Sequence, residues 1–214
     1  MKLKQREILP GLPHELTQMI MIIAGKKGSG KSTLMLKLLK TVLKGVYHEI
    51  IFVSPSFKAQ FKSLWCALDP EGIKVYEQAT NDLIKTFLDH HSDPSKNTLI
   101  IFDDNSSDLR KLNPEMFGRL ICNSRHYRIS MVFLSQSYVQ NLPIVRCNTD
   151  CYVTFASCSY TERERFYKEV ACIERKQFHE YFNRATAKDH SFMIACIDRG
   201  GSMRFYNSDF KTLL

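Results

Sequence analysis

The sequence lacks several features, and each absence excludes a class of protein. Its 214 residues contain no apolar run of the roughly 18 residues needed to cross a bilayer, so we expect no membrane insertion. The first seven residues, MKLKQRE, do not form the apolar core of a secretory signal peptide. We therefore expect an intracellular, soluble protein. No internal repeat or low-complexity linker interrupts the chain, which predicts a single domain over residues 1–214.

Cysteine is present, but it is not arranged as a metal-binding motif. The seven cysteines include no C-x-x-C pair, and such paired spacings are typical of structural zinc sites. Cys147 and Cys151 are four residues apart, and with His126 and Cys158 they leave a zinc site as a minor alternative. Small buried thiols in a reducing compartment are the simpler interpretation.

Acidic residues are scarce in the first part of the chain. The whole sequence has 30 Lys and Arg against 22 Asp and Glu, which gives a formal charge of +8. Residues 1–50 contain nine basic and three acidic residues. Excess positive charge is compatible with an anionic partner such as nucleic acid, and equally with a solvated basic surface. Charge alone does not decide between the two.

A glycine-rich segment carries the most information about function. Residues 25–32 read GKKGSGKS, which fits the phosphate loop G-x-x-x-x-G-K-[ST]. The apolar run at residues 19–24 predicts a buried strand before the loop, and residues 32–43 predict a helix after it. Backbone N–H groups and the helix dipole bind phosphate in this arrangement. We therefore predict a bound nucleoside triphosphate, and a glycine turn satisfied by water is the less favoured alternative.

The residue types in this loop predict individual roles. Lys31 is expected to reach the β- and γ-phosphates, and the Ser32 hydroxyl is expected to hold Mg²⁺. The expected ligands are therefore ATP and Mg²⁺. The predicted nucleotide-binding residues are Gly25, Lys26, Lys27, Gly28, Ser29, Gly30, Lys31, Ser32 and Thr33.

Two acidic residues end a strand farther along the chain. The strand predicted at residues 98–104 ends in Asp103-Asp104, which is the Walker B pattern of an apolar strand that runs into acid. Mg²⁺ prefers carboxylate and phosphate oxygens, so Asp103 is predicted to hold the metal through a bound water. Asp104 points in a different direction and is the predicted base that polarises the attacking water. Asp108 is the fallback for that role.

Polar residues around the fourth main strand extend the predicted site. Gln136 follows the strand predicted at residues 130–135, and its amide can orient water or sense the γ-phosphate. A turn amide bonded to backbone is the alternative. Arginine stabilises charge that grows on phosphate, so basic residues nearby are candidates for an arginine finger that acts on a neighbouring subunit. These residues are Arg119, Arg125, His126, Arg128 and, farther on, Arg146. For each one, a surface ion pair or a DNA-phosphate contact is the alternative.

The remaining segments alternate between strand and helix patterns, which predicts an α/β fold with a mainly parallel sheet. Further strands are predicted at residues 49–54, 73–76 and 150–155, and helices at 81–90, 114–123, 161–170 and 174–186. Residues 191–197 and 203–206, joined through Gly200-Gly201, predict a closing C-terminal hairpin.

The order of these motifs resembles the poxvirus-type viral DNA-packaging ATPases, which belong to the FtsK/HerA branch of P-loop ATPases. Related proteins occur in other large DNA viruses, virophages and Polinton-like elements. The similarity rests on the two aspartates and on four segments: FGR at 117–119, SRH at 124–126, ISMVFLSQSY at 129–138 and LPIVRCN at 142–148. It covers residues 17 to 156, about two-thirds of the chain.

The resemblance implies a RecA-like (ASCE) sheet in which another strand separates the Walker A and Walker B strands. It also implies an ATPase ring, expected to be hexameric, that moves double-stranded DNA into a viral capsid. DNA, capsid components and further copies of the chain are then the expected partners. The host-cell virus factory and the virion are the expected locations.

The same resemblance assigns individual positions. Gln136 matches the polar sensor, and Arg125 and Arg146 match candidate finger positions. FtsK and HerA proper usually carry Glu where Asp104 stands. Two functions of other classes stay open beside the motor. One is a P-loop small-molecule kinase, and the other is a regulatory or scaffold protein that binds nucleotide without hydrolysing it.

Overall fold

Eight strands of the described chain form one sheet. The computed structural model describes residues 18–57, 73–89, 96–197 and 201–213. The strands lie side by side in the order β3-β2-β4-β5-β1-β6-β7-β8. Their bounds are β1 (Ile20–Ala24), β2 (Glu49–Val53), β3 (Ile73–Tyr76), β4 (Thr98–Asp103), β5 (Ile129–Ser135), β6 (Cys151–Phe155), β7 (Phe192–Ile197) and β8 (Met203–Tyr206).

The sheet is mainly parallel and ends in an antiparallel pair. All neighbours from β3 to β6 run parallel, whereas β7 is antiparallel to β6 and β8 is antiparallel to β7. The parallel sheet and the C-terminal hairpin predicted from the sequence are therefore confirmed. Gly200, which was predicted to lie in the hairpin turn, falls outside the described residues.

Strand β5 lies between the strand before the glycine loop and the strand that ends in acid. Ala24 at the end of β1 is level with Ser135 of β5, and Leu134 of β5 is level with Asp103 of β4. This order is the RecA-like arrangement expected from the resemblance. It brings the ends of β1, β5 and β4 to the same edge of the sheet.

Helices cover both faces of the sheet. Their bounds are α1 (Lys31–Lys40), α2 (Asn81–Asp89), α3 (Ser106–Leu109), α4 (Pro114–Cys122), α5 (Pro143–Cys147), α6 (Tyr160–Phe166) and α7 (Arg175–Ala185). A 3₁₀ turn, Tyr138–Gln140, follows β5, and a π-helical turn, Tyr167–Ala171, extends α6. The long helices match the sequence predictions to within a few residues, although residue 90 of one predicted helix lies outside the described chain. The sequence did not predict α3 and α5, because four or five residues are too short to show a helical period.

The alternation of side chains along β1 explains why the sheet is covered twice. Ile20 and Ile22 belong to a core shared with α2, α4 and α7, whereas Met21 and Ile23 belong to a core shared with α1. A parallel strand that is buried on both faces reads as one continuous apolar run. This accounts for the uninterrupted hydrophobic segment before the glycine loop.

Candidate functional site

The glycine loop connects β1 to α1 in the conformation that phosphate binding requires. Gly28 and Gly30 have φ values of 80° and 103°, in the left-handed region that favours glycine. Gly30 is the N-cap residue of α1, and no side chain caps that helix. The backbone N–H groups of the first turn of α1 are therefore available to an anion, with the positive end of the helix dipole behind them.

Gly25 is needed because the loop passes very close to its neighbours. A Cβ atom at Gly25 would lie 2.5 Å from Ser29 Oγ and 2.8 Å from Phe155 Cδ2. The Gly25 N–H donates to Ser135 O at 3.1 Å. The loop therefore packs against both the end of β5 and the ring of Phe155. Among the described residues, the buried hydroxyl of Ser29 has no hydrogen-bond partner.

Lys31 is buried at the base of the loop. Its Nζ donates to Gly25 O at 2.7 Å and to Lys26 O at 3.3 Å. Burial lowers the pKa of the Lys31 ammonium below its usual range, while the carboxylates of Asp104 and Asp103 act in the opposite direction. The carboxylates are close enough to interact electrostatically with this lysine, which brings the two predicted motifs into one site.

Asp103 is the buried acid of this site. Its side chain is 2% exposed, and its Oδ2 accepts a hydrogen bond of 2.9 Å from Ser54 Oγ at the end of β2. Burial raises the pKa of the Asp103 carboxyl, and the Ser54 hydrogen bond only partly offsets this effect. Asn105 donates through Nδ2 to Asp103 O at 2.8 Å and also to Val53 O, so it joins the ends of β4 and β2. The Asp103 carboxylate is therefore buried and is held by a hydrogen bond from Ser54.

Asp104 has a different environment from Asp103. Its φ of 51° is in the left-handed region, its N–H donates to Leu134 O at 3.2 Å, and it is exposed. The two adjacent aspartates therefore occupy distinct surroundings, as their sequence positions predict. Asp108 lies on α3 and pairs with Lys111 at 3.1 Å, and it does not line the cleft described next.

An open cleft of about 910 Å³ lies above this edge of the sheet. It brings together the loop, both aspartates and Gln136, and it receives residues from the ends of β2, β4, β5 and β6. Gly25, Lys26 and Ser29 belong to the loop but do not line the cleft. The lining consists of Lys27, Gly28, Gly30, Lys31, Ser32, Thr33, Leu34, Lys37, Pro55, Ser56, Asp103, Asp104, Gln136, Phe155, His190 and Phe192.

The predicted finger arginines lie elsewhere. Arg125 precedes β5, at the edge of the sheet opposite the cleft. Its side chain is 67% exposed and pairs with Asp150 Oδ1 at 2.6 Å. The side chain of Arg146 is only 10% exposed, pairs with Glu169 at 3.0 Å and donates to Asn141 O at 2.7 Å. Neither arginine reaches the cleft of its own chain, so action on a neighbouring subunit stays a prediction for both.

Sequence reasoning missed several residues of the site, among them Ser54, Phe155, His190 and Phe192. Ser54 had a usable signal, because it ends a parallel strand and such ends collect at one edge of the sheet. Phe155 and Phe192 were placed only in strands. Nothing in the sequence marks His190, which reaches the cleft because β7 pairs with β6.

The described residues contain no cluster of side chains that supports the zinc alternative. Cys151 and Cys196 are buried and face each other across β6 and β7, whereas Cys147 is exposed at the end of α5. Within the described ranges, no group of three or more His, Cys, Asp or Glu side chains is placed to hold a metal ion.

No helix within those ranges is long and apolar enough to span a membrane.

Comparison with known proteins agrees with the loop and the strand order. The sequence profile of the family described as "Poxvirus A32 protein" matches residues 14–183. The chain belongs to the poxvirus A32 protein family. Protein 015R of Frog virus 3 (isolate Goorha) is 24% identical over 185 residues, which cover 81% of this chain and 55% of that protein. This member of the A32 family thus spans about half the length of that curated relative.

Solved structures share the fold. The genome packaging NTPase B204 of Sulfolobus turreted icosahedral virus 2, in complex with AMPPCP, has a TM-score of 0.67 at 18% identity. The alignment covers 92% of this chain and 99% of the B204 chain. B204 of Sulfolobus turreted icosahedral virus, a DNA-packaging ATPase, has a TM-score of 0.65 at 20% identity, with coverages of 88% and 96%. The pCW3 conjugation coupling protein TcpA has a TM-score of 0.58 at 14% identity, with coverages of 83% and 57%. The A32-family chain therefore has a P-loop ATPase fold.

Proposed function

We propose that this chain is the ATPase of a motor that moves double-stranded viral DNA into a capsid. The observation that carries the proposal is the cleft in which the phosphate loop, Lys31, Asp103 and Gln136 meet. Membership of the A32 family supports it, as does the shared fold with a structure described as a DNA-packaging ATPase.

The loop binds the phosphates of ATP through backbone and side-chain donors. The N–H groups of the loop and of the first turn of α1 meet the phosphate oxygens. Lys31 Nζ exchanges the carbonyls of its own loop for oxygens of the β- and γ-phosphates. The left-handed glycines keep the backbone close to the ligand.

The donor set beside the loop fits Mg²⁺. Ser32 and Asp103 both belong to the site and offer hydroxyl and carboxylate oxygens, which are the ligand types that this ion prefers. When bound there, Mg²⁺ neutralises charge on the phosphates. Ser54 holds the Asp103 carboxylate in place through its hydrogen bond of 2.9 Å. This carboxylate is nearly inaccessible to solvent, so its charge acts strongly on a nearby cation.

Hydrolysis requires a water molecule to be held and polarised beside the γ-phosphate. Asp104 is exposed in the same cleft and accepts the proton of that water. The Gln136 amide lies at the end of β5, between the loop and the acid, and orients the water or senses the γ-phosphate. The reaction releases ADP and inorganic phosphate, without a small-molecule acceptor.

The motor is a homo-oligomeric ring, expected to be a hexamer, with DNA and capsid components as its partners. Arg125 or Arg146 contributes the arginine that reaches a neighbour's nucleotide. Arg125 is the more accessible of the two in the single chain. The motor works at the site of virion assembly in the infected cell.

Substitution of Lys31 tests this function. Lys31→Ala is expected to abolish phosphate release, because the loop loses its only buried ammonium among the described residues. The matched control is Lys40→Ala, which removes an exposed lysine at the other end of α1 that does not line the cleft. Phosphate release should be measured with Mg-ATP, with and without double-stranded DNA, alongside particle size by light scattering.

The outcomes separate the candidate functions. Undiminished turnover in Lys31→Ala contradicts the site. Turnover that appears only when a nucleoside or nucleotide acceptor is added favours a small-molecule kinase. Nucleotide binding without turnover, even with DNA present, favours a regulatory or scaffold protein.

A further inference from the structure

The cleft has two chemically different halves. Along the sheet edge the order is β4 with Asp103, β5 with Gln136, β1 with the phosphate loop, β6 with Phe155, and β7 with Phe192. Acid and amide groups lie on the β4 side of the loop, whereas aromatic groups lie on the β6–β7 side. A triphosphate whose γ-phosphate faces the acid therefore extends its nucleoside toward the aromatic half.

His190 is the exposed residue that overhangs this aromatic half. Its Nδ1 lies 3.4 Å from Ser29 O, and a Cβ at Gly30 would be 3.9 Å from both its Cβ and its Nδ1. The ring is therefore next to the last glycine of the loop, on the side where β6 and β7 lie. His190 also lines a smaller pocket behind the loop, together with Ser157 and Asp189.

The backbone around His190 is fixed by a tight turn. The Ser191 N–H donates to Lys188 O at 3.1 Å, and the Lys188 N–H donates to Ser191 Oγ at 3.1 Å. The backbone of His190 has a φ of 58°. This value lies in the left-handed region, which residues other than glycine adopt rarely. Residues held in such conformations cluster at ligand sites, where the surrounding structure maintains them.

Two nearly buried aromatic rings line the cleft at the end where His190 lies. Phe155 and Phe192 are paired across β6 and β7 with ring centroids 5.3 Å apart. Lys37 lies on the α1 side of the cleft, with its Nζ 5.3 Å from the ring centroid of Phe210. An imidazole beside these groups offers an exposed aromatic face, and nucleobases of every type stack on such faces.

We propose that His190 contacts the nucleoside half of the bound triphosphate, with its ring stacked against the base or sugar at the aromatic end of the cleft. This assignment rests on the proposed function and adds to it, because it separates nucleoside recognition by His190 from phosphate recognition by the loop. The residue positions substrate and takes no part in the reaction itself.

The test compares Mg-ATP with magnesium tripolyphosphate, which carries the phosphates without the nucleoside. Dissociation constants are measured by calorimetry on the full chain without DNA. The wild-type chain is expected to bind Mg-ATP roughly tenfold more tightly than tripolyphosphate. His190→Asn should remove most of this preference and leave tripolyphosphate binding unchanged, because asparagine accepts the left-handed backbone but has no ring.

Two further variants sharpen the comparison. His190→Phe keeps an aromatic face and should retain the preference for Mg-ATP. Lys188→Ala changes an exposed neighbour in the same turn that does not line the cleft, and should also retain it. Unchanged tripolyphosphate binding in His190→Asn shows that the loop is still folded.

Three results would overturn the assignment, and they differ in what else they reject. A wild-type preference that survives in His190→Asn rejects the role of His190 alone. Equal wild-type affinities for the two ligands reject the nucleoside subsite and leave the proposed function standing. Failure of the wild-type chain to bind either ligand rejects both the subsite and the proposed function.

Discussion

At the scale of single residues, the site holds the carboxyl group of Asp103 in a buried position, where its ionised form is unfavourable. Asp103 is nearly inaccessible to solvent and has Ser54 as its hydroxyl donor. A buried carboxylate with few donors favours its neutral form. The same burial strengthens its attraction for any cation in the cleft. Function and stability therefore make opposite demands on this position.

The first prediction at this scale is that Asp103→Asn stabilises the fold and abolishes turnover. The pKa of Asp103 is raised, so its ionised form opposes folding at neutral pH, and this penalty disappears as the pH falls through the raised pKa. We expect a gain of roughly 0.5–2 kcal/mol, or about 2–4 °C in Tm per kcal/mol, at neutral pH. The gain should shrink in acid. Thermal unfolding without ligands measures it.

Asp108→Asn is the matched control for that experiment. Asp108 is also an aspartate just after β4, but it is only partly buried and pairs with Lys111. Its replacement should leave Tm nearly unchanged or slightly lower. A neutral or destabilising effect of Asp103→Asn at neutral pH would contradict the prediction.

The individual residues also mark the limit of sequence reasoning. The sequence predicts the loop, Asp103 and Gln136 as site residues because each combines a chemical type with a position at the end of a strand, and the structure brings them to one cleft. The role of Ser54 required knowledge that β2 neighbours β4. The position of His190 at the cleft required the antiparallel addition of β7 beside β6, which no local pattern encodes.

At the scale of elements, the turn after β5 is fastened to α6 and its π-helical extension. The Tyr138 hydroxyl donates to Glu169 at 2.8 Å, and its backbone N–H donates to Glu162. Glu169 also accepts from Arg146 at 3.0 Å and from Arg165 at 2.8 Å. The segment that begins at Gln136 is therefore connected by charged hydrogen bonds to the helix that follows β6 and to its π-helical extension.

The prediction at this scale concerns Glu169→Gln. Burial alone would raise the pKa of Glu169, but hydrogen bonds from Arg165, Tyr138 and Arg146 outweigh it, and the net shift is downward. The ionised form therefore stabilises the fold at neutral pH, and this contribution is lost as the pH falls through the lowered pKa. Glu169→Gln should cost about 1 kcal/mol at neutral pH, since the pair is partly exposed.

Urea unfolding at a series of pH values tests this expectation. The difference between the wild-type chain and Glu169→Gln should be largest near neutral pH and should decrease below the ordinary range of a glutamate. Glu180→Gln is the control, because Glu180 is exposed and lies 3.8 Å from Arg184. A difference that grows in acid would reverse the assigned sign.

The helices and strands themselves were largely predictable from sequence. Amphipathic patterns predicted α2, α4 and α7, and continuous apolar runs predicted the parallel strands. The end of α1 was predicted too late, at residue 43. Thr41 is the C-cap residue, and its hydroxyl bonds to Lys37 O at 2.6 Å. Such side-chain to backbone bonds compete with helix continuation.

At the scale of the whole molecule, the cleft and a cluster of exposed basic residues before β5 occupy opposite edges of the sheet. Arg125, His126 and Arg128 precede β5, whereas the cleft lies beyond its end. A residue on the far edge can serve a nucleotide only in another copy of the chain. In the proposed ring, a finger at Arg125 therefore requires the basic edge of one subunit to face the cleft of the next.

Mixing of variants tests this arrangement. Arg125→Ala should lower ATP turnover roughly 10²-fold or more and leave nucleotide binding unchanged, as expected for a finger that acts in trans. Mixed with Lys31→Ala subunits, it should regain part of the activity, because each variant supplies what the other lacks. Arg184→Ala, an exposed arginine on α7, is the control. Full activity of Arg125→Ala, or no recovery on mixing, would exclude Arg125 as the finger.

The net charge of +8 leads to a prediction about DNA. Binding of double-stranded DNA should weaken steeply as salt rises, with a slope of log K against log salt of roughly −0.9 for each phosphate contacted. Fluorescence anisotropy over a range of salt concentrations measures this slope. Binding that does not respond to salt, or no binding even at low salt, would exclude double-stranded DNA as the polymer that the protein moves.

The shared attachment to β5 has a mechanical consequence. The phosphate loop begins with a bond from Gly25 to the carbonyl of Ser135, and the acidic turn begins with a bond from Asp104 to the carbonyl of Leu134. Two adjacent carbonyls of one strand keep a constant spacing. The phosphate loop and the acidic turn therefore cannot separate while their hydrogen bonds to β5 are intact. In the motor that we propose, we therefore expect the phosphate loop and the acidic turn to move together, so a crosslink between them should leave ATP-driven DNA movement intact.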